Sequence, residues 1–348
     1  MKNKTQLLTI FFFNALLLLI SAQMIFKVVP EPPLLEKRGL APMPSLLQLD
    51  INKFPDQLAN YVNDHFGFRK LFVRINNFID LKILHTSTHE SVVLGKNDFL
   101  FMRADWNSFV KRQSKLTDIQ IRVQAQKVRA FQDRLKSRGV EFLFAMAPNK
   151  STIYPELMPT NGYSLNQQSD RERILTALDQ AGVNHIDVMP QIIEAKKERL
   201  IYYKGDHHWN KFASLIASEK IAEFLSKKTN SRAPELVRVG SKVDLHERYG
   251  GGSLDEMLGV KTTRVNQEPV VEVRGKLLPR GVVFGDSFIR WLYLHLASEK
   301  LESIDEIYDA AKFTKAINQP GIRYVVVHFW ESNSSVMMQS EIWDSSIQ

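Results

Sequence analysis

The sequence predicts a three-layer α/β/α domain with a mostly parallel sheet, carried behind an apolar N-terminal segment and a helical lead. Three observations predict it. Residues 140–147, 281–285 and 324–329 are apolar at nearly every position, as strands covered on both faces are. Amphipathic stretches of helical period lie between them. The chain has 348 residues, 44% hydrophobic and 24% charged, enough for one large domain of this class.

Residues 1–29 come first. Lys2 and Lys4 precede an apolar run over 7–29, and within 10–20 only Asn14 interrupts it. About 20 such residues at 1.5 Å each cross ~30 Å of hydrocarbon. The leading lysines favour a cytoplasmic N-terminus with the remainder exported. An uncleaved signal anchor is preferred over a signal peptide cut after Ala22, because Ile20 is a poor residue three positions before that cut. A buried core helix is the third reading.

Residues 30–115 read as linker and helical lead. Pro30, Pro32, Pro33, Pro42 and Pro44 stiffen the exit from the apolar run. Leu58, Tyr61, Val62, Phe66, Phe72 and Ile75 predict a helix over 54–84. A short strand and turn at 91–95 precede the aromatic run 99–101.

Residues 116–348 form the α/β domain. A helix over 118–138 has Asp118 placed to cap it and Gly139 to stop it. Strand 140–147 ends at Pro148. Helix 168–181, strand 184–188, helix 211–225, strand 281–285, helix 288–297 and strand 324–329 follow. In such sheets functional groups gather at the carboxyl ends of the strands.

Composition excludes several classes. With no cysteine, thiolate metal sites, disulfides and cysteine nucleophiles are out. The 46 Lys and Arg against 38 Asp and Glu give +8, which suits an anionic polymer or a membrane surface, and no nucleic-acid motif accompanies it. No phosphate loop is present, and the glycine-rich run at 248–253 does not fit a dinucleotide fingerprint. No cofactor is expected.

Two motifs carry chemistry. Gly285-Asp286-Ser287 follows a strand and opens a helix, where terminal N–H groups favour a developing oxyanion. The plainer reading is that Ser287 only caps the helix. Asp206-His207-His208-Trp209 places a carboxylate two residues from an imidazole, the pairing a serine nucleophile needs in its base. The plainer reading is a solvated turn with Trp209 in the core. Chemistry alone does not choose between the histidines, although adjacent side chains should diverge. Asp206, His207 and His208 could also hold a metal, but they lack helical His-x-x-x-His spacing, and no metal is expected.

Together these motifs resemble the SGNH-hydrolase-like polysaccharide O-acetyltransferases of the AlgJ/AlgX-like, alginate type. Ordinary SGNH esterases carry Gly-Asp-Ser near the N-terminus and Asp-x-x-His near the end. Here the order is reversed and the spacing is Asp-x-His. Leu35-Glu-Lys-Arg-Gly-Leu-Ala-Pro42, Asn63-Asp-His-Phe-Gly-Phe-Arg69, Gly95-Lys-Asn-Asp-Phe-Leu-Phe101 and Ala147-Pro-Asn-Lys-Ser-Thr-Ile-Tyr-Pro155 resemble further family segments, so the likeness runs over about residues 31–335.

The resemblance implies an SGNH-like catalytic domain with Ser287 as nucleophile, His208 as base and Asp206 as orienting acid. It implies acetyl transfer to an exported, alginate-like polysaccharide from a membrane-bound O-acyltransferase partner, at the periplasmic side of the inner membrane. A carbohydrate acetylesterase and a non-catalytic polysaccharide-binding subunit of an export complex are the alternatives. Lys150 is a candidate contact for an anionic substrate, and Trp209 a second substrate-binding candidate. The Ser287 N–H is the first candidate oxyanion donor and the loop 250–252 the second. The family often has Glu-Arg after the last strand; here Ser332 follows Glu331.

Overall fold

An apolar run away from water satisfies its backbone most simply as a helix. In the computed structural model, which describes residues 2–31, 39–45, 50–111, 116–159, 169–230, 232–245, 254–260 and 265–346, that helix is α1 (Lys2–Phe26). Within Lys4–Phe26 an 18-residue stretch has a mean hydropathy of 2.1, and the helix is long and apolar enough to cross a membrane. The chain divides into two units, Met1–Val92 with Gly250–Thr262 and Val93–Tyr249 with Thr263–Gln348.

In the smaller unit, sequence alone predicts one helix over 54–84. Two form instead, α2 (Phe54–His65) and α3 (Arg69–Lys82). The first helix ends at Phe66, which leaves the helical region at ψ 150°, and Phe68, left-handed at φ 62°, precedes the second. Gly67 is required there: an added Cβ would lie 2.1 Å from the Ile20 carbonyl oxygen. Arg74 and Asn77 of α3 donate to the carbonyls of Gly259 and Leu258, at 2.6 and 2.9 Å.

In the larger unit, β1 (Val92–Leu94) and β2 (Leu100–Met102) pair, and α4 (Arg103–Lys111) follows. Residues 93–111 thus cluster with this unit, although sequence alone groups them with the lead. Next come α5 (Asp118–Ser137), β3 (Glu141–Ala147), α6 (Asp170–Gln180), β4 (His185–Ile186), α7 (Met189–Lys196) and α8 (Lys211–Lys228). Then follow β5 (Glu235–Leu245), β6 (Val265–Arg274), β7 (Gly281–Gly285), β8 (Leu301–Ile304), α9 (Ala310–Ile317) and β9 (Tyr324–Trp330).

The apolar strands make one parallel sheet in the order β4-β3-β9-β7-β8. Alternate side chains enter two cores. Leu143, Ala147, Val283, Val326 and Trp330 join Ala213, Ala217, Ile221 and Leu225 of α8 on one face. Phe142, Phe144, Val282, Phe284, Val325 and Phe329 join α5, α6 and α9 on the other. That is the three-layer arrangement expected.

Local details differ from the sequence expectation. The α5 N-cap is Thr117, not Asp118: Thr117 Oγ1 accepts from the Gln120 N–H at 3.2 Å, and Gln120 Oε1 accepts from the Thr117 N–H at 2.8 Å. Gly139 does stop the helix, at φ 70°. The helix expected over 288–297 is a 3₁₀ turn, Ser287–Trp291, and a separate turn, Leu294–Ala297. Side chains of α8 take the intervening main-chain groups: Ser214 Oγ donates to the Trp291 carbonyl at 2.9 Å, and Ser218 Oγ accepts from the Tyr293 N–H at 2.8 Å. An antiparallel ribbon of β5 and β6, unforeseen from sequence, also forms.

Candidate active site

Ser287 follows the carboxyl end of β7. The approach of β7 to β9 needs Gly285, because a Cβ there would lie 1.6 Å from the His328 carbonyl oxygen. Asp286 pins the turn. Its carboxylate accepts from the Phe288 N–H at 3.1 Å, the Trp330 N–H at 2.7 Å and Asn333 Nδ2 at 2.8 Å. Burial pushes the Asp286 pKa up, and these donors pull against it. Asp286, rather than Ser287, is therefore the cap of this turn.

The histidine turn is held at both ends. Tyr202 and Trp209 form an isolated antiparallel bridge, and Asn210 caps α8 by accepting from the N–H groups of Phe212 and Ala213. Trp209 is 0% exposed and packs on Phe288 and His328, at ring distances of 5.6 and 5.2 Å. Its burial makes it an anchor of the turn, not a face offered to a sugar, which corrects the substrate-binding expectation. Lys150 is corrected likewise. It is 0% exposed, and its ammonium donates to main-chain carbonyls rather than reaching toward an anionic ligand.

The three expected side chains meet. His208 Nε2 lies 2.7 Å from Ser287 Oγ, and His208 Nδ1 lies 2.9 Å from Asp206 Oδ1. The same Oδ1 accepts from the His208 N–H at 3.1 Å. These partners assign Nδ1 as protonated and Nε2 as the acceptor from the serine hydroxyl. Asp206 is 3% exposed. Burial raises its pKa, but the imidazoles of His208 and His207 beside it outweigh that and hold it well below the usual carboxylate range.

His207 does not diverge from its neighbour. The two rings lie 3.8 Å apart, and His207 Nδ1 is 3.3 Å from the same Asp206 oxygen. Ligand atoms of Asp206, His207 and His208 lie within 4.8 Å of one another, the grouping a metal would need. Both nitrogens of His208 and one oxygen of Asp206 already serve the chain of hydrogen bonds to Ser287.

Aromatic rings wall the site. Phe288 and Trp291 lie 4.9 and 6.1 Å from the His208 ring, and Trp330 stacks on Phe288 at 5.8 Å. Behind them the ends of β3 and β9 are stapled together. Glu331 Oε2 accepts from the Asn149 N–H at 2.7 Å and from Thr152 Oγ1 at 3.0 Å. Asn149 Oδ1 accepts from the N–H and Oγ of Ser332, so Ser332 at the position after Glu331 has a bonding role of its own. Sequence reasoning misses the part played by Asp286, Asn149 and Glu331. Their place directly after predicted strands is the signal that could have found them. The loop 250–252 and part of segment 35–42 lie outside the described residues.

Residues 92–277 match the family of SGNH hydrolase-like domains of the acetyltransferase AlgX. The chain belongs to this family. The matched span holds Asp206 and His208 and ends before Ser287. The chain is 19% identical over 176 residues to a probable alginate O-acetylase AlgJ of Pseudomonas syringae pv. tomato, covering 51% of this chain and 44% of that one. It is 25% identical over 167 residues to the Pseudomonas aeruginosa protein of the same description, covering 48% and 40%. The chain thus spans less than half the length of these relatives. Among solved structures, the O-acetyltransferase domain of Pseudomonas putida AlgJ is similar in fold, with a TM-score of 0.52 at 17% identity over 74% of this chain and 99% of that one.

Proposed function

We propose that this AlgX-family chain is a serine O-acetyltransferase that acetylates hydroxyls of an exported, alginate-like polysaccharide. The observation that carries the reading is the unbroken relay from Ser287 Oγ through His208 to Asp206. In the first half-reaction His208 Nε2 takes the Ser287 proton while Oγ bonds to the acetyl carbon. The donor's leaving group departs and receives that proton from His208. In the second half-reaction His208 removes a proton from a sugar hydroxyl, the sugar oxygen attacks the acetyl-serine, and Ser287 Oγ leaves and regains the proton. Asp206, ionised throughout, holds the ring and supports the imidazolium.

The Ser287 N–H is the proposed oxyanion donor. Transfer must outrun hydrolysis, which requires water to be excluded; the rings of Phe288, Trp291 and Trp330 around His208 suit that need. The apolar α1 fits an anchor or signal that delivers the larger unit to the periplasmic face of the inner membrane. A membrane-bound O-acyltransferase is the proposed acetyl donor. The alginate-like acceptor follows from the names of the relatives and suits a chain of net charge +8.

The test replaces Ser287 with Ala in cells that make the acetylated polymer. Acetylation of the polymer is expected to be lost, and persistence of acetylation overturns the assignment. A parallel incubation with p-nitrophenyl acetate, with and without oligouronate, separates transfer from hydrolysis. Acetate release that no acceptor diverts would make the protein an esterase.

A further inference from the structure

A buried ammonium is costly unless its protons and charge are matched. Lys150 Nζ lies 2.6 Å from the Tyr203 carbonyl oxygen, 2.7 Å from that of Leu100, 2.8 Å from that of Lys204 and 2.9 Å from that of Asp206. Four acceptors therefore share three N–H donors. The rings of Phe99 and Phe101, 5.0 and 5.2 Å away, close the sides.

Three of those carbonyls belong to residues 203–206, immediately before the two histidines. Such convergence is neither helix nor strand geometry. Without a central cation it would set carbonyl dipoles against one another and leave those of Tyr203 and Asp206 short of donors, whereas that of Lys204 also accepts from the Leu100 N–H at 2.8 Å. The lysine is itself fixed. It opens a helical turn, Lys150–Ile153, after Asn149, which is stapled to Glu331 and Ser332 beyond β9. A rigid chain of contacts thus runs from the sheet through the ammonium to the segment that carries Asp206.

We propose that Lys150 is a positioning residue whose ammonium organises the main chain of residues 203–206, so that the Asp206 carboxylate meets His208 and, through it, Ser287. The inference rests on the catalytic reading above and deepens it. His208 and His207 are the groups that hold Asp206 ionised. Lys150 acts instead on the geometry of the loop. A neutral side chain of equal length would fill the volume and leave the Tyr203 and Asp206 carbonyls unmatched.

The test uses the full chain with Lys150→Met. Ser287 labelling by a fluorophosphonate, and kcat for p-nitrophenyl acetate, are expected to fall on the order of 10²-fold, as a misplacement of about 1 Å costs. KM should stay near the wild-type value. In Lys150→Ala, propylammonium is expected to restore part of the rate saturably, whereas propanol does not. A folded Lys150→Met with wild-type kcat, or equal rescue by propanol and propylammonium, overturns the proposal. If neither variant folds, nitrogen NMR of the wild-type protein decides. The Lys150 ammonium is expected to be protected from hydrogen exchange and coupled to the Tyr203, Lys204 and Asp206 carbonyl carbons. Exchange as fast as a surface lysine overturns the cage. Ser287→Ala keeps the two readings apart. Turnover by that variant sinks the catalytic assignment, whereas an inactive Ser287→Ala beside a fully active Lys150→Met sinks only the positioning role.

Discussion

At the scale of single residues, the site is a set of buried polar groups whose charges are matched locally. Asp206 is matched by two imidazoles, Asp286 by three N–H donors and Lys150 by four carbonyls. His328 is an exception. Among the described residues neither ring nitrogen has a partner, and burial pushes its pKa down to about 3. The folded state therefore holds it neutral, while the unfolded chain protonates it near pH 6.5. Its contribution to stability is complete above pH ~6.5 and is lost at about 1.4 kcal/mol per unit as pH falls toward ~3. His328→Phe should flatten the melting temperature against pH across that window, and an unchanged slope would refute the assignment. Asp206 adds to the same acid sensitivity lower down, because its depressed pKa confers stability that is lost only as pH falls below the usual carboxylate range. At this scale the two motifs that meet were legible, because chemistry restricts which residue types can pair, although only the family resemblance singled out His208 over His207. Lys150 and Trp209 were misread as ligand contacts. Sequence shows what a side chain can bind, whereas burial decides what it does bind.

At the scale of elements, apolar strands were easy to place and the connections were not. The β7 strand, its glycine and the following turn work as one unit. Gly285→Ala forces a Cβ into the His328 carbonyl. It should destabilise the protein by several kcal/mol or shift β7 away from β9, and so slow fluorophosphonate labelling of Ser287. A variant with wild-type melting temperature and labelling rate would contradict the close approach. The helix expected over 288–297 broke because Ser214 and Ser218, some 75 residues earlier, bond the main chain at Trp291 and Tyr293. No local pattern announces such a distant partner. The β5–β6 ribbon was hidden for a different reason. Pro269 and the charged residues of both strands read as loop, and the pairing slips between Arg238 and Gly240.

At the scale of the whole molecule, the parallel sheet supplies what no single segment can. Ser287 and His208 are 79 residues apart in the chain, and the carboxyl end of the sheet brings them into contact. This much followed from the alternation of strands and helices. The apolar α1 was equally plain, a run of a length and apolarity that fit a membrane anchor or a signal sequence. The full chain should sediment with membranes. Deleting residues 1–31 should release it to the soluble fraction with Ser287 still labelled by a fluorophosphonate. A full chain that stays soluble would refute the anchor.

The central claim is that an acetyl group rests on Ser287. Mass spectrometry of peptides from rapidly quenched enzyme and acetyl donor tests it most directly. The account predicts one added acetyl group on the peptide containing Ser287, which grows in when His208 is intact and disappears when oligouronate is added. A peptide that never gains the group, or an acetyl found on another residue with Ser287 unmodified, would contradict it.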